Sequence, residues 1–82
     1  MLQVEIYTPE KTVFKGEAKA VRLPGESGLF EVFTGHAPLI SSLNEGTVRL
    51  TDSQDNQTNY SVQSGFVEVL NNQISILVEA VD

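Results

Sequence analysis

The chain has 82 residues, enough for one domain and one core, and no cysteine, which excludes disulfides and thiolate metal sites. Eleven acidic residues against five basic ones give a net charge of −6. Nucleic acid and anionic lipid are poor partners for such a chain, because both require clustered cations. The five bases are instead scattered among acids, at Lys11, Lys15, Lys19, Arg22 and Arg49.

The hydrophobic residues are spread in short runs. No apolar run approaches the roughly 18 residues of a membrane-spanning helix. The N-terminus also lacks the basic region followed by an apolar region that is typical of a signal peptide. We therefore expect a soluble protein that is not exported and does not insert directly into lipid.

In chain order, alternation of apolar and polar residues predicts a first group of short strands. Gly16 is expected to end the second strand, and Pro24 followed by Gly25 is expected to form a type II turn after the third. These three strands are predicted at residues 2–6, 12–14 and 18–23.

The second half continues in the same pattern. Asn71 and Asn72 predict a type I′ hairpin turn, because asparagine tolerates positive φ. Residues 52–56 predict a solvated hairpin tip rather than a calcium loop, since the loop's glycine and its bidentate acid are absent. About nine strands in all predict one all-β domain over residues 1–82, a small sandwich or flattened barrel. The remaining strands are predicted at residues 29–33, 38–40, 46–50, 59–64, 66–70 and 73–80.

His36 is the only histidine and lies in a Gly-His-Ala-Pro segment. Serines and acids are plentiful, so the inventory allows a catalytic triad, but the sequence around Gly25–Gly28 is not a nucleophile elbow. A zinc site is disfavoured by one histidine without cysteine. We expect His36 to make a side-chain hydrogen bond that fixes its turn, or to belong to a docking surface.

Residues 29–33 are apolar on both sides of a predicted strand. Phe30 and Val32 point to one side, while Leu29, Glu31 and Phe33 point to the other. Two interpretations remain open at this point. The strand is buried on both faces near a sandwich edge, or one side is a protein-docking patch.

Two quoted segments, "LPGESGLFEVFTGHAPLISSLNEGTVRL" and "SVQSGFVEVLNNQISILVEA", resemble the ε subunit of F-type ATP synthases. The opening "VEIYTPEKTVFKGEAKAV" resembles the start of that family, so the resemblance covers essentially the whole chain. It implies a β-sandwich of two roughly five-stranded sheets. It also implies a non-catalytic rotor subunit that docks on the γ subunit and the c-ring and couples proton-driven rotation to ATP synthesis. No cofactor, metal or ATP site is implied in this chain.

The resemblance assigns residues to each partner. The chain departs from the family where Leu29 replaces a frequent acid and Glu31 replaces a small residue, so the charged contact is expected to move to Glu26 or Glu31. The implied c-ring-facing residues are Glu26, Ser27, Leu29, Phe30, Glu31 and Phe33. The implied γ-facing residues are His36, Ala37, Pro38 and Leu39. The expected structural turn residues are Pro24, Gly25, Gly28, Gly35, Gly46, Gly65, Asn71 and Asn72.

Family members commonly continue into a C-terminal helical hairpin, which this sequence lacks. Because it begins at Met1 and ends without a tag, we expect a naturally short form without inhibition by such a hairpin. The expected location is the inner, cytoplasmic face of the cell membrane, as a peripheral part of the ATP synthase. The alternative is a small glycan- or protein-binding β-sandwich. Sugar binding is disfavoured because there is no tryptophan and the two tyrosines, Tyr7 and Tyr60, lie far apart in sequence.

Overall fold

A computed structural model describes residues 1–81. In that part of the chain the secondary structure consists of β-strands joined by short turns. The strands are β1 (Leu2–Tyr7), β2 (Thr12–Ala18), β3 (Ala20–Gly25), β4 (Gly28–Phe33), β5 (Leu39–Leu43), β6 (Gly46–Thr51), β7 (Gln57–Val62), β8 (Gly65–Leu70) and β9 (Gln73–Val78).

The strands form two layers of one curled sheet. Hydrogen bonds join them in the order β2-β1-β9-β8-β5-β3-β6-β7, with β4 on the other side of β3. The link between β5 and β3 is a single pair, Gly25 with Leu43, and the sheet folds over there. Laid flat, the eight strands of this path would span roughly 34 Å, yet the longest extent of the molecule is 26 Å. The predicted all-β sandwich or flattened barrel is confirmed, with a five-stranded layer (β2-β1-β9-β8-β5) and a four-stranded layer (β4-β3-β6-β7).

The core lies between the two layers and follows from the period-2 pattern. In β1, Leu2, Val4 and Ile6 point inward and are at most 2% exposed. Each such side chain contributes about 1.5–3 kcal/mol by its burial. The core cluster contains Leu2, Val4, Ile6, Ala18, Val21, Leu23, Val32, Leu43, Val48, Leu50, Val62, Val67, Val69, Ile74, Ile76 and Val78.

An aromatic pair covers the side of the core between the layer edges. Phe14 on β2 and Tyr60 on β7 have ring centroids 6.4 Å apart and an interplanar angle of 54°. Strands β2 and β7 are the outermost strands at the two ends of the hydrogen-bonded path. Both rings also pack against the core cluster. The tilted pair therefore joins the two edges that hydrogen bonds leave apart.

The predicted boundaries of the second and third strands are wrong at three places. Gly16 does not end β2, because it lies within the strand and pairs with Val4. Ala18 belongs to β2, so that the third strand begins at Ala20. The predicted type II turn at Pro24-Gly25 is also wrong: both residues lie in β3, and Gly25 has no positive φ.

The strand register separates two ends of the sandwich. At one end, which we call the Asn72 end, lie the loop of residues 34–38, the tip of residues 52–56 and the turn at residues 71–72. At the other, the Glu26 end, the pair Gly25 with Gly28 closes the β3–β4 hairpin, next to residues 44–45 and 63–64. Strands of about six residues at roughly 3.3 Å per residue put the ends roughly 20 Å apart.

Candidate docking surfaces

The hairpin between β3 and β4 presents a two-residue turn, Glu26 and Ser27, at the Glu26 end. Both residues are exposed. The backbone N–H of Glu26 donates to the carbonyl oxygen of Ser42 at 3.1 Å, and Gly28 has a φ of 131°. The turn therefore lies two residues later than predicted, and the positive φ is found at Gly28, the residue that follows it, and not at Gly25.

Gly25 is required by close packing rather than by turn geometry. A Cβ at this position would lie 2.7 Å from the Phe30 ring and 2.8 Å from the carbonyl oxygen of Gly28. Phe30 is half-buried and packs against the core cluster. Of the predicted c-ring-facing residues, Phe30 therefore supports the hairpin from inside and does not belong to the outer face.

The outward side chains of β4 are Leu29, Glu31 and Phe33, which we call the Leu29 face. Leu29 is 63% exposed and Phe33 is 55% exposed. Val32, between them in sequence, is completely buried. The predicted division of this strand into two sides is confirmed, and the interpretation that both sides are buried is wrong.

At the Asn72 end, the loop between β4 and β5 is fixed by several hydrogen bonds. The backbone N–H of His36 donates to the Phe33 carbonyl at 3.1 Å. The ring Nδ1 of His36 lies 2.6 Å from the Ala37 carbonyl oxygen, which can only accept, so Nδ1 carries the proton. Gly35 has a φ of 85°, and its N–H donates to Oδ1 of Asn72 at 2.7 Å. The side-chain bond that we predicted for His36 is present in this turn.

The ring of His36 has no hydroxyl or carboxylate partner within residues 1–81, so the geometry of a catalytic triad is not formed there. In the same range, no three His, Cys, Asp or Glu side chains lie close enough together to hold a metal ion. His36 is half-buried. The arrangement thus fixes a loop.

The tip between β6 and β7 is closed by one carboxylate. Oδ1 of Asp52 accepts from the backbone N–H groups of Gln54 and Asn56, each at 2.9 Å. These two bonds favour the ionised form and hold the pKa of Asp52 below its usual value, the Gln54 bond having the larger effect. Asp55, with a φ of 67°, forms an ion pair with Lys19. The predicted hairpin tip is confirmed.

A second exposed apolar surface, which was not predicted from the sequence, lies on the outer side of the five-stranded layer. Ile40, Phe66 and Leu77 are 64%, 51% and 37% exposed, and we call them the Ile40 face. Phe66 pairs directly with Leu77 across β8 and β9. Near the start of β8, Phe66, Leu77 and Pro9 help to line an apolar concavity of about 650 Å³. The signal was available, because both strands carry large apolar residues at polar-side positions of the alternation.

The predicted site residues are therefore divided between the two ends. Glu26 and Ser27 lie at the Glu26 end, while residues 36–38 lie at the Asn72 end. The Leu29 face runs along β4 from one end to the other. Of the expected turn residues, Gly35, Asn71 and Asn72 lie in turns. The other five, Pro24, Gly25, Gly28, Gly46 and Gly65, lie at strand ends.

These features define a small, non-helical β-sandwich with two outer apolar faces; no helix in residues 1–81 is long and apolar enough to cross a membrane. The family model "ATP synthase, Delta/Epsilon chain, beta-sandwich domain" matches residues 1–82. The chain belongs to this family, as the sequence resemblance predicted.

Two relatives and one solved structure illustrate the match. The ATP synthase epsilon chain of Chlorobium limicola is 40% identical over 79 residues, which cover 96% of this chain and 90% of that one. That of Gloeothece citriformis is 43% identical over 81 residues, covering 99% and 58%. A chain in the cryo-EM structure of the Euglena gracilis mitochondrial ATP synthase (OSCP/F1/c-ring) superposes with a TM-score of 0.93 at 17% identity. The match covers 99% of this chain and 52% of that one, and it shows the shared fold.

Proposed function

We propose that this chain is a non-catalytic central-stalk subunit of an F-type ATP synthase, which docks on the γ subunit and on the c-ring. The observation that carries the proposal is the pair of exposed apolar faces on opposite layers of one small sandwich. Exposed apolar groups of this kind mark protein contacts. Because the faces point in opposite directions, one rigid domain can engage two partners at the same time.

The γ subunit is assigned to the Asn72 end and the Ile40 face. The proposed γ-facing residues, His36, Ala37, Pro38 and Leu39, lead directly into β5, where the next residue is Ile40. Ala37 and Pro38 are exposed, and the His36 ring fixes their backbone. A loop with few accessible conformations loses little entropy when it docks, which favours a lasting contact.

The c-ring is assigned to the Glu26 end and the Leu29 face. Glu26 and Ser27 form the exposed tip, and Glu31 lies between Leu29 and Phe33 on the same strand. A partner that covers this surface would present apolar groups to Leu29 and Phe33 and a cation to one of the acids. Phe30 contributes by supporting the hairpin, through its packing beside Gly25.

The role is mechanical. A sandwich whose core side chains are buried and close-packed deforms little, so torque passes through it with little loss. We propose no active site, no cofactor and no ATP site in this chain. We place it at the inner, cytoplasmic face of the cell membrane, as a peripheral part of the assembled enzyme.

Two matched substitutions test this assignment. Ile40 and Leu29 are exposed aliphatic residues on opposite layers, at 64% and 63% exposure, so replacing either by aspartate has a similar effect on folding. We expect Ile40→Asp to weaken binding to the γ subunit and leave c-ring binding intact, and Leu29→Asp to do the reverse. The loss in each case is about tenfold or more, because a charge replaces a buried apolar contact.

Binding is measured by calorimetric titration of the chain with purified γ subunit and, separately, with detergent-solubilised c-ring from the same organism. Thermal unfolding of both variants is the control for folding. If the wild-type chain binds neither partner, the proposed function is wrong. If both substitutions weaken the same partner, the function stands but the assignment of faces is wrong.

A further inference from the structure

Two arginines that are distant in sequence are neighbours on the outer side of the four-stranded layer. Arg22 on β3 and Arg49 on β6 are direct cross-strand partners. Residues in such pairs have Cβ atoms roughly 4.5–5.5 Å apart, and like charges facing each other in this way are destabilising. These are two of only five basic residues in a chain of net charge −6.

The pair lacks an anionic partner within residues 1–81. The ion pair found in that range is the one between Lys19 and Asp55. Arg22 lies opposite Glu31 across β3 and β4, but the two side chains do not form a salt bridge. Two adjacent, half-buried arginines thus have unused donors on the outer side of the layer.

Arg49 is held in an orientation that leaves its terminal nitrogens available. Its Nε donates to Oδ1 of Asn59 on β7 at 3.2 Å. A guanidinium group has five N–H donors in a planar fork, so the terminal donors remain free for an anion. A cleft of about 320 Å³ lies beside the pair, lined by Arg22, Arg49, Leu29, Glu45 and other residues.

The charges around the pair favour a single carboxylate. Glu31 is opposite Arg22, and Glu45 lines the same cleft, so two carboxylates lie near the arginines without forming a salt bridge to them. A phosphate dianion or a polyanion would meet this negative field and the net charge of the chain. A protein carboxylate brings one charge and matches the guanidinium fork geometry.

The apolar surroundings favour a protein partner. Leu29 lines the cleft, and Phe33 is exposed farther along the same strand, so a small ion would leave both side chains in water. A protein segment with one acidic side chain and apolar neighbours would cover the arginine pair, Leu29 and Phe33 together. The Leu29 face is the surface that we assign to the c-ring, so the arginine pair is continuous with that interface.

We propose that Arg22 and Arg49 bind one carboxylate of the c-ring surface that covers the Leu29 face. This inference rests on the proposed function and adds two cationic contact residues to it. The carboxylate accepts from both guanidinium groups and relieves their mutual repulsion. The interface then contains both negative and positive contact residues. Glu26 and Glu31 face cations of the partner, and the arginine pair faces an acid. These opposite charges fix the orientation of the partner.

The site itself is tested by NMR of the full chain, using the Arg Nε–Hε resonances and sodium butyrate as the probe. We expect saturable shifts of Arg22 and Arg49 with butyrate, absent with sodium chloride at equal ionic strength. Inorganic phosphate should act more weakly at equal ionic strength. An absence of butyrate shifts, or larger shifts with phosphate, overturns the carboxylate site.

The occupant is tested by titration with detergent-solubilised c-ring. We expect Arg22→Gln and Arg49→Gln each to weaken binding about tenfold, since each removes a charge-assisted contact. Arg22→Lys keeps the charge but loses the planar fork, and should fall between Arg22→Gln and the wild type. Lys15→Gln, which removes an exposed positive charge from the other layer, is the matched control and should bind normally.

The butyrate and c-ring titrations together distinguish failure of the arginine-pair inference from failure of the proposed function. Butyrate shifts together with normal c-ring binding of Arg22→Gln and Arg49→Gln mean that the c-ring is not the occupant, and the inference is overturned while the proposed function stands. A wild-type chain that does not bind the c-ring overturns the proposed docking and the occupant together. The γ titration of the same variants, expected to be unchanged, shows that they are folded.

Discussion

The two ends of the sandwich are stabilised in different ways. At the Asn72 end, side chains bond to backbone: Asn72 accepts from Gly35, and Asp52 accepts from Gln54 and Asn56. Around the β3–β4 hairpin at the Glu26 end the bonds are mainly between backbone groups, such as Asn44 N–H to the Pro24 carbonyl at 2.9 Å. The chain there also comes too close to its neighbours for a Cβ at several glycines, namely Gly25, Gly46 and Gly65.

This difference affects how well each end of the sandwich tolerates substitution. A loop closed by side-chain bonds loses one bond at a time, at about 0.5–1.5 kcal/mol each. A glycine in close backbone contact cannot be replaced without moving a strand. We therefore expect the Glu26 end to be the less tolerant of substitution, although its tip residues Glu26 and Ser27 are exposed.

The largest effect is expected for Gly65→Ala at the Glu26 end. A Cβ on Gly65 would overlap the Leu77 carbonyl oxygen and lie 2.8 Å from Cγ1 of Val78. The first of these atoms is backbone, so β8 and β9 must separate. We expect a loss of about 1–3 kcal/mol in the free energy of unfolding, the usual cost of overpacking, measured by urea denaturation.

Gly16→Ala is the matched control for this substitution. Gly16 also lies in a strand, but the atom nearest to its added Cβ is the far end of the Phe14 ring, at 3.1 Å, so a side-chain shift of a few tenths of an ångström makes room without moving the backbone. Its effect should stay within about 0.5 kcal/mol. Equal losses in the two variants would contradict the argument from close backbone contact.

An intermediate effect is expected for Asn72→Gly at the other end. Asn71 and Asn72 have φ values of 50° and 62°, so glycine suits both positions. Only Asn72 also accepts the bond from Gly35 N–H. We expect Asn72→Gly to cost about 1 kcal/mol more than Asn71→Gly in urea denaturation. The amide of Gly35 should also exchange faster with solvent.

Equal stability of the two glycine variants would show that the Asn72 side chain contributes nothing to the loop of residues 34–38. In that case the order of His36 and Ala37 would depend on the bond between them and on the bond from the His36 N–H to the Phe33 carbonyl. The γ titration then serves as a second readout, because a looser loop should bind more weakly.

The two ends also differ in how well sequence predicts them. The type I′ turn at Asn71-Asn72 is confirmed, because the conformation is a local property of two asparagines. The turn near Gly25 was misplaced because Pro-Gly satisfies the local rule for a type II turn. The residue is glycine for a tertiary reason, the approach of Phe30 and of the Gly28 carbonyl.

Strand pairing over long sequence distances limits prediction in the same way. The pairing of β3 with β6 makes Arg22 and Arg49 neighbours, although 26 residues separate them in the chain and they looked scattered in sequence. The division of residues 29–33 into inner and outer sides was predictable, because it needs only the period of a strand. Which outer residues become neighbours depends on the whole topology.

The smallest effect is expected at Asp52 and depends on pH. Two backbone N–H bonds lower the pKa of Asp52 in the folded state below its ordinary value of 3.8. A lowered pKa stabilises the fold at pH values above the unfolded-state pKa, and this stabilisation is lost as the pH falls through the folded-state pKa.

Asp52→Asn keeps an acceptor oxygen but removes the charge. The melting temperature of the wild type should therefore exceed that of Asp52→Asn near neutral pH, and the difference should shrink below about pH 4. Glu10→Gln, which removes a negative charge from a different hairpin without touching these bonds, controls for net charge. A wild-type advantage that persists unchanged at pH 2 would show that the bonds to Gln54 and Asn56 do not depend on ionisation of the carboxylate.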